Sequence, residues 1–147
     1  MTASNRPAEP SAQEVAQTIA AILGGARTIA VVGLSPNPQR TSHAVARYMQ
    51  LRGWRILPVN PLVDQVLGET AYPTLAAAAA AEPIALVNVF RKTEELPEVV
   101  DAAIACGAPA LWLQLGLRDD VAAARARRAG LRVVQDRCLM VEHSQHA

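Results

Sequence analysis

Apolar residues along this chain keep two rhythms, and the switching between them lays out its elements. From Gln13, "QEVAQTIAAILGGA" carries apolar residues at helical spacing and runs into Gly24 and Gly25, which predicts a helix over 13–23. "TIAVVGL" follows, a short β-branched run bounded by a loop, and reads as a buried strand. After "SPNPQR", the segment "TSHAVARYMQLRG" returns to helical spacing, with Val45, Tyr48 and Met49 on one face, Gly53 as its stop and Thr41 or Ser42 as its cap. "WRILPVNP" gives a second strand that stops at prolines. "LVDQVLGETAYP" then reads as a loop, and the alanine-rich stretch from Thr74 to Ala81 as a helix broken by Pro83. "IALVNVF" is a third strand, and "TEELPEVVDAAIACG" a helix whose first-turn glutamates suit its dipole, with Gly107 as its stop. "PALWLQLG", "RDDVAAARARRAG" and "LRVVQDRC" complete the pattern as strand, helix and fifth strand.

Strands alternating with helices every 25 residues or so imply βαβ units and a parallel sheet. The right-handed crossover rule leaves few topologies. The expectation is an α/β, Rossmann-like fold: a doubly wound parallel sheet of about five strands in a three-layer arrangement. Residues 1–12 read as a disordered or loosely attached lead, and 13–147 as one domain beginning with the helix over 13–23.

The chain has 147 residues, of which 51% are hydrophobic, enough for a real core in one domain. Fourteen basic and thirteen acidic residues leave a net charge of +1, which argues against a dedicated nucleic-acid surface. Lys92 is the only lysine, an arginine preference that reads as compositional bias. Two cysteines without a CxxC, and no secretory signal, suggest reduced thiols in a cytoplasm. No stretch approaches the roughly 20 apolar residues of a membrane-spanning helix.

In an open parallel sheet, ligands bind beyond the carboxyl ends of the strands, so the strand-end residues are read as a set. Gly33 stands where the chain must turn sharply out of the first strand, and the amides leading into the next helix can face an anion. Ser35 offers a hydroxyl and Arg40 a planar fork suited to phosphate oxygens. The alternative for Arg40 is a solvated residue ahead of a helix; Arg91 and Lys92 at the end of an adjacent strand favour the phosphate. A dinucleotide site is disfavoured: GxGxxG is reduced to one glycine, and the second strand ends in "PVNP" without the carboxylate that would bind a ribose. "PVNP" itself reads either as a rigid exit or as an extended rim whose free backbone groups bond an adenine edge while Val59 packs on its face.

Six stretches in order, "VVGLSPNPQRTSHAVARYM", "GWRILPVNP", "LGETAYPTL", "VNVFR", "WLQLG" and "LRVVQDRCLMVEH", carry a resemblance. From about Ile29 to His143 the chain resembles the CoA-binding-domain family of small bacterial and archaeal proteins, and is similar to the CoA-binding module of succinyl-CoA synthetase α-subunits. The resemblance implies a site for coenzyme A or an acyl-CoA at the same strand ends. Gly33, Ser35, Pro38 and Arg40 would embrace the phosphates. Pro58, Val59, Asn60 and Pro61 would line the adenosine end, and Phe90 and Arg91 would border the pantetheine path or a phosphate. The synthetase α-subunits also carry a catalytic domain with a phosphorylated histidine, which this sequence lacks, so no ligase activity is carried over.

Other candidates stay open. Cys138 in "QDRC" is either a packed thiol or, beside Arg137, a reactive one able to form a mixed disulfide with CoA. Gln114, near the end of the fourth strand, either donates to a ligand carbonyl such as the pantetheine amides or satisfies a nearby loop. Trp112 and Gln114 alternate with Leu111, Leu113 and Leu115, so the two sets face opposite sides. Trp54 and Tyr72 are expected to cover the sheet edge or the second crossover, with Tyr72 the one able to reach a ligand. His43 reads as a helix-surface or pocket-rim residue, His143 and His146 as part of the tail, and Cys106 as packing. No metal-ligand spacing, GxSxG or Walker loop is present. The expected function is a non-catalytic CoA carrier, sensor or regulatory module, a homodimer being one possible assembly. The alternatives are an enzyme using Cys138 or His43, and an interaction protein that has lost the ligand.

Overall fold

The computed structural model describes residues 9–146. Five strands form one parallel sheet: β1 (Thr28–Val32), β2 (Arg55–Val59), β5 (Leu86–Val89), β6 (Ala110–Leu113) and β7 (Arg132–Val134). Their spatial order is β2-β1-β5-β6-β7, with Val31 opposite Pro58 on one side and Asn88 on the other. The chain runs outward from β1 to β2 and then crosses back to β5, so the winding reverses between β1 and β5. The expected doubly wound, three-layer architecture is the one found.

Side chains alternate across this sheet and build a core on each face. Ile29, Val31, Ile56, Leu86 and Trp112 pack with helices α1 (Ala12–Leu23), α2 (Thr41–Leu51) and α6 (Leu139–His146). Ala30, Leu57, Val87, Leu111 and Leu113 pack with α3 (Leu75–Ala81), α4 (Leu96–Ala105) and α5 (Asp120–Arg128). Both faces are covered, as a parallel sheet requires. Cys106 serves this packing: its thiol donates to Ala103 O at 3.1 Å, and burial raises its pKa.

Three sequence expectations are corrected. The first eight residues of the predicted lead lie outside the described residues, but its end is tied down. Glu9 pairs with Arg118 at 2.6 Å, and Ser11 caps α1 in a reciprocal capping box with Glu14. The stretch expected as loop over 62–73 contains a hairpin, β3 (Gln65–Val66) and β4 (Glu69–Thr70), and Tyr72 then lies parallel to Val59 as a further bridge at the sheet edge. Arg55 on β2 pins this hairpin through Glu69 and also binds Glu82, 2.5 Å away. The tail is the helix α6.

α6 docks on α2 through an aromatic–imidazole cluster. The Tyr48 hydroxyl lies 3.1 Å from His143 Nδ1, and the His143 ring sits edge-on to Tyr48 and to Trp54. Trp54 is therefore a core residue on the α1–α2–α6 face rather than a cover for the edge or the second crossover. Arg52 stacks over the Tyr48 ring at 3.7 Å. Burial lowers the His143 pKa from its usual 6.5, and the charges of Arg52, Arg27 and His146 lower it further. The unfolded chain thus takes up this proton first as pH falls, so stability holds above about pH 6.5 and declines below it. Urea unfolding at pH 7.5 and 5.5 is expected to show the decline, and a smaller one in His143→Gln; equal declines in both would contradict this role.

Candidate functional site

The exits of β1 and β5 close on one another where the winding reverses. Gly33 donates to Val59 O at 2.9 Å and Phe90 donates to Val32 O at 2.8 Å. Gly33 has φ +86°, and a Cβ there would lie 2.2 Å from Phe90 O and 3.0 Å from Arg91 Cδ. Only glycine suits both the left-handed backbone and the close approach.

Beyond Gly33, the loop folds on its own short polar side chains. Ser35 Oγ accepts from Asn37 N at 3.1 Å, and Asn37 Oδ1 accepts from Gln39 N at 2.9 Å. Asn60 reaches across from the end of β2, its Nδ2 donating to Leu34 O at 3.0 Å. Ser42 Oγ accepts from Ser35 N at 3.0 Å. Ser42 therefore ties the loop to α2 rather than capping the helix, which corrects the expected Thr41 or Ser42 cap. Ser42→Ala leaves the Ser35 amide without its partner and is expected to cost about 1 kcal/mol in urea unfolding. An unchanged midpoint would show that water replaces the hydroxyl.

The N-cap of α2 is Arg40, which makes no side-chain cap. The first-turn amides of Thr41 and Ser42 accordingly meet no acceptor among the described residues. They face a groove of about 540 Å³ lined by Gly33, Ser35, Gln39, Arg40, Thr41, Ser42 and Phe90. Among the described residues, no carboxylate pairs with Arg40. An uncapped helix start, the three hydroxyls of Ser35, Thr41 and Ser42 and an uncommitted guanidinium are donors of the kind that hold phosphate. Gln39, Thr41 and Ser42 were not anticipated as lining residues; no local pattern marks them, because the missing cap becomes visible only once Ser42 is seen bonded elsewhere.

Arg91 differs from Arg40. Its guanidinium holds Glu95 at 2.6 Å, and Glu95 also accepts from the Lys92 amide at 3.1 Å. These two bonds keep the Glu95 pKa below its usual value. Phe90, Arg91, Lys92 and Glu95 line a second groove of about 370 Å³ next to the first. Pro38 and His43 line a third, with Arg47 and Tyr48, along the outer side of α2.

Of the two readings of "PVNP", the rigid strand exit is the one that fits the backbone. Pro58 and Val59 are buried residues of β2, and Val59 belongs to the core, so its side chain is not an open platform. Pro58 O accepts from Tyr72 N at 2.8 Å, and Asn60 N donates to Tyr72 O at 2.9 Å. Because Pro58 O points away from β1 toward Tyr72, the N–H that proline lacks would point there too, and the β1 ladder loses nothing. Asn60 is spent on the loop, its Oδ1 accepting from Leu62 N at 2.9 Å; Pro61 is exposed. The Tyr72 ring packs against the core.

Gln114 lies at the exit of β6, on the same side as Asn88 and Trp112, and is 3% exposed. Its Oε1 is 3.5 Å from Asn88 Nδ2 and 3.4 Å from Leu139 N, whereas its Nε2 has no partner among the described residues. Cys138 is half-buried against the α1–α2–α6 core. Trp112 Nε1 donates to Arg137 O at 2.8 Å and Asp136 accepts from Gly116 N at 2.7 Å, so the exits of β6 and β7 are bound together. Among the described residues, no group of three His, Cys, Asp or Glu is placed to hold a metal, and no helix is long and apolar enough to cross a membrane.

Comparisons with known proteins bear on this arrangement. A sequence-family model described as a CoA binding domain matches residues 27–144. The uncharacterized protein YneT of Bacillus subtilis (strain 168) is 41% identical over 135 residues, covering 92% of this chain and 96% of that protein. Among solved structures, a hypothetical protein from Pyrococcus horikoshii OT3 superposes with a TM-score of 0.83 at 32% identity, over 99% of this chain and 98% of that one. The Thermus thermophilus protein cell-free ID.343 has a TM-score of 0.82 at 38% identity, over 88% and 97% of the two chains.

Proposed function

The chain belongs to the CoA-binding-domain family, and on that premise we propose that the groove at the exits of β1 and β5 binds coenzyme A or an acyl-CoA. The observation that carries this is the uncapped start of α2, with two open amides and an uncommitted Arg40 beside the Gly33 turn. In this reading the phosphates sit on the Thr41 and Ser42 amides, the Ser35 hydroxyl and Arg40, where helix dipole and guanidinium act together. Pro38 flanks the loop. Asn60 and Pro61 border the adenosine end, Asn60 acting mainly by holding the loop in shape. Phe90 lies along the pantetheine arm, Arg91 gives a weaker anion contact in competition with Glu95, and the buried, unpartnered Gln114 Nε2 is the donor for a ligand carbonyl.

The lining residues are hydrogen-bond donors and apolar walls, without a carboxylate, imidazole or thiol. In this reading the protein holds its ligand as a cytoplasmic carrier, sensor or regulatory module. Ligand at 100 times its Kd adds about 2.7 kcal/mol to stability. CoA is therefore expected to raise the unfolding temperature by about 6–10 °C for a domain of this size, while dephosphorylated pantetheine leaves it in place. Equal shifts from the two would place the affinity outside the phosphate groove and overturn this reading.

A further inference from the structure

The phosphate groove is one of several along the same edge of the sheet. Adjacent strands lie about 4.8 Å apart, so the exit of β7 stands about 10 Å beyond that of β5. There the loops after β6 and β7 enclose a groove of about 370 Å³. Two large apolar side chains face it, Leu115 at 68% exposure and Val141 at 44%, with Cys138 beside them. Gln114, at the β6 exit between β5 and β7, has its buried Nε2 unpartnered among the described residues.

The charges around this groove are already committed. Arg118 pairs with Asp120 at 3.0 Å and Glu9 at 2.6 Å, and Arg137 with Glu142 at 3.6 Å. The Asp136 carboxylate accepts from Gly116 N. No free cation is left among these groups for a carboxylate, while Asp136, paired with no cation among the described residues, repels one. Resting on the CoA reading, we propose that this groove receives the tail of an acyl-CoA and selects short uncharged aliphatic acyl groups over bare CoA and over acyl groups ending in a carboxylate.

Each fully buried methylene is worth about fourfold in affinity, and an open groove gives part of that. Calorimetric titration with CoA, butyryl-CoA and succinyl-CoA tests the proposal. Butyryl-CoA is expected to bind about tenfold more tightly than CoA, and succinyl-CoA no more tightly than CoA. In Leu115→Asp and Val141→Asp, both at exposed positions, the butyryl-to-CoA ratio should fall to within about twofold of unity. Equal affinity of the wild type for CoA and butyryl-CoA, a succinyl preference, or a ratio that survives both substitutions would overturn the proposal. Absence of CoA binding in the wild type overturns the underlying CoA reading, and is seen separately in the first titration.

Discussion

Gly33→Ala is expected to destabilise the fold by about 2–5 kcal/mol, the sum of a left-handed backbone at an alanine and an overpacked contact. The contact is with backbone: the added carbon would meet Phe90 O at 2.2 Å, and only Arg91 Cδ belongs to a side chain that can swing away. Relief requires the exits of β1 and β5 to part, which strains the Phe90 N to Val32 O bond and the groove above it. Urea unfolding measures the loss directly. A cost below about 1 kcal/mol would mean that the two exits move apart freely and are not the rigid floor described above.

Arg40→Ala is expected to weaken CoA binding by about 10- to 100-fold, the range for losing one charge-assisted contact to phosphate, with folding stability unchanged. Arg40 is exposed at the N-cap and has no carboxylate partner among the described residues, so its removal leaves no orphaned charge. Arg91→Ala is expected to have a smaller effect, because that guanidinium must be drawn away from Glu95 before it can serve an anion. Titration of both variants at one salt concentration gives the comparison. A larger loss at Arg91 would move the phosphate to the neighbouring groove.

Much of this was legible in the chain because hydrophobic period and strand-end position are local properties. The five principal strands and the glycine stops appear where the rhythm of apolar residues changes, and Gly33 and Arg40 stand out by their place after β1. The hairpin was hidden by its turn. Leu67 and Gly68 both have positive φ, 55° and 74°, as a two-residue turn of the hairpin type requires, but leucine is not a residue that announces such a turn. α6 was hidden because an eight-residue helix rests on tertiary contacts, here Leu139 in the core and His143 against Tyr48, 95 positions away.

The candidate site divides along the same line. A serine at a helix start signals a cap, yet Ser42 is drawn to the Ser35 amide, and that choice leaves the helix start open to a ligand. "PVNP" left a rigid exit and an open rim undecided because its edge neighbour, Tyr72, arrives only after the hairpin turns the chain back. Which donors are free depends on these non-local pairings, and a single sequence does not state them.

The most direct measurement is isothermal titration of the ligand-stripped protein with CoA, with NAD, NADP and ATP titrated in parallel. The predicted result is saturable CoA binding at micromolar strength, with no comparable heat from the other three. No heat from CoA, or tighter binding of a dinucleotide, would contradict the assignment of the β1–β5 groove to coenzyme A.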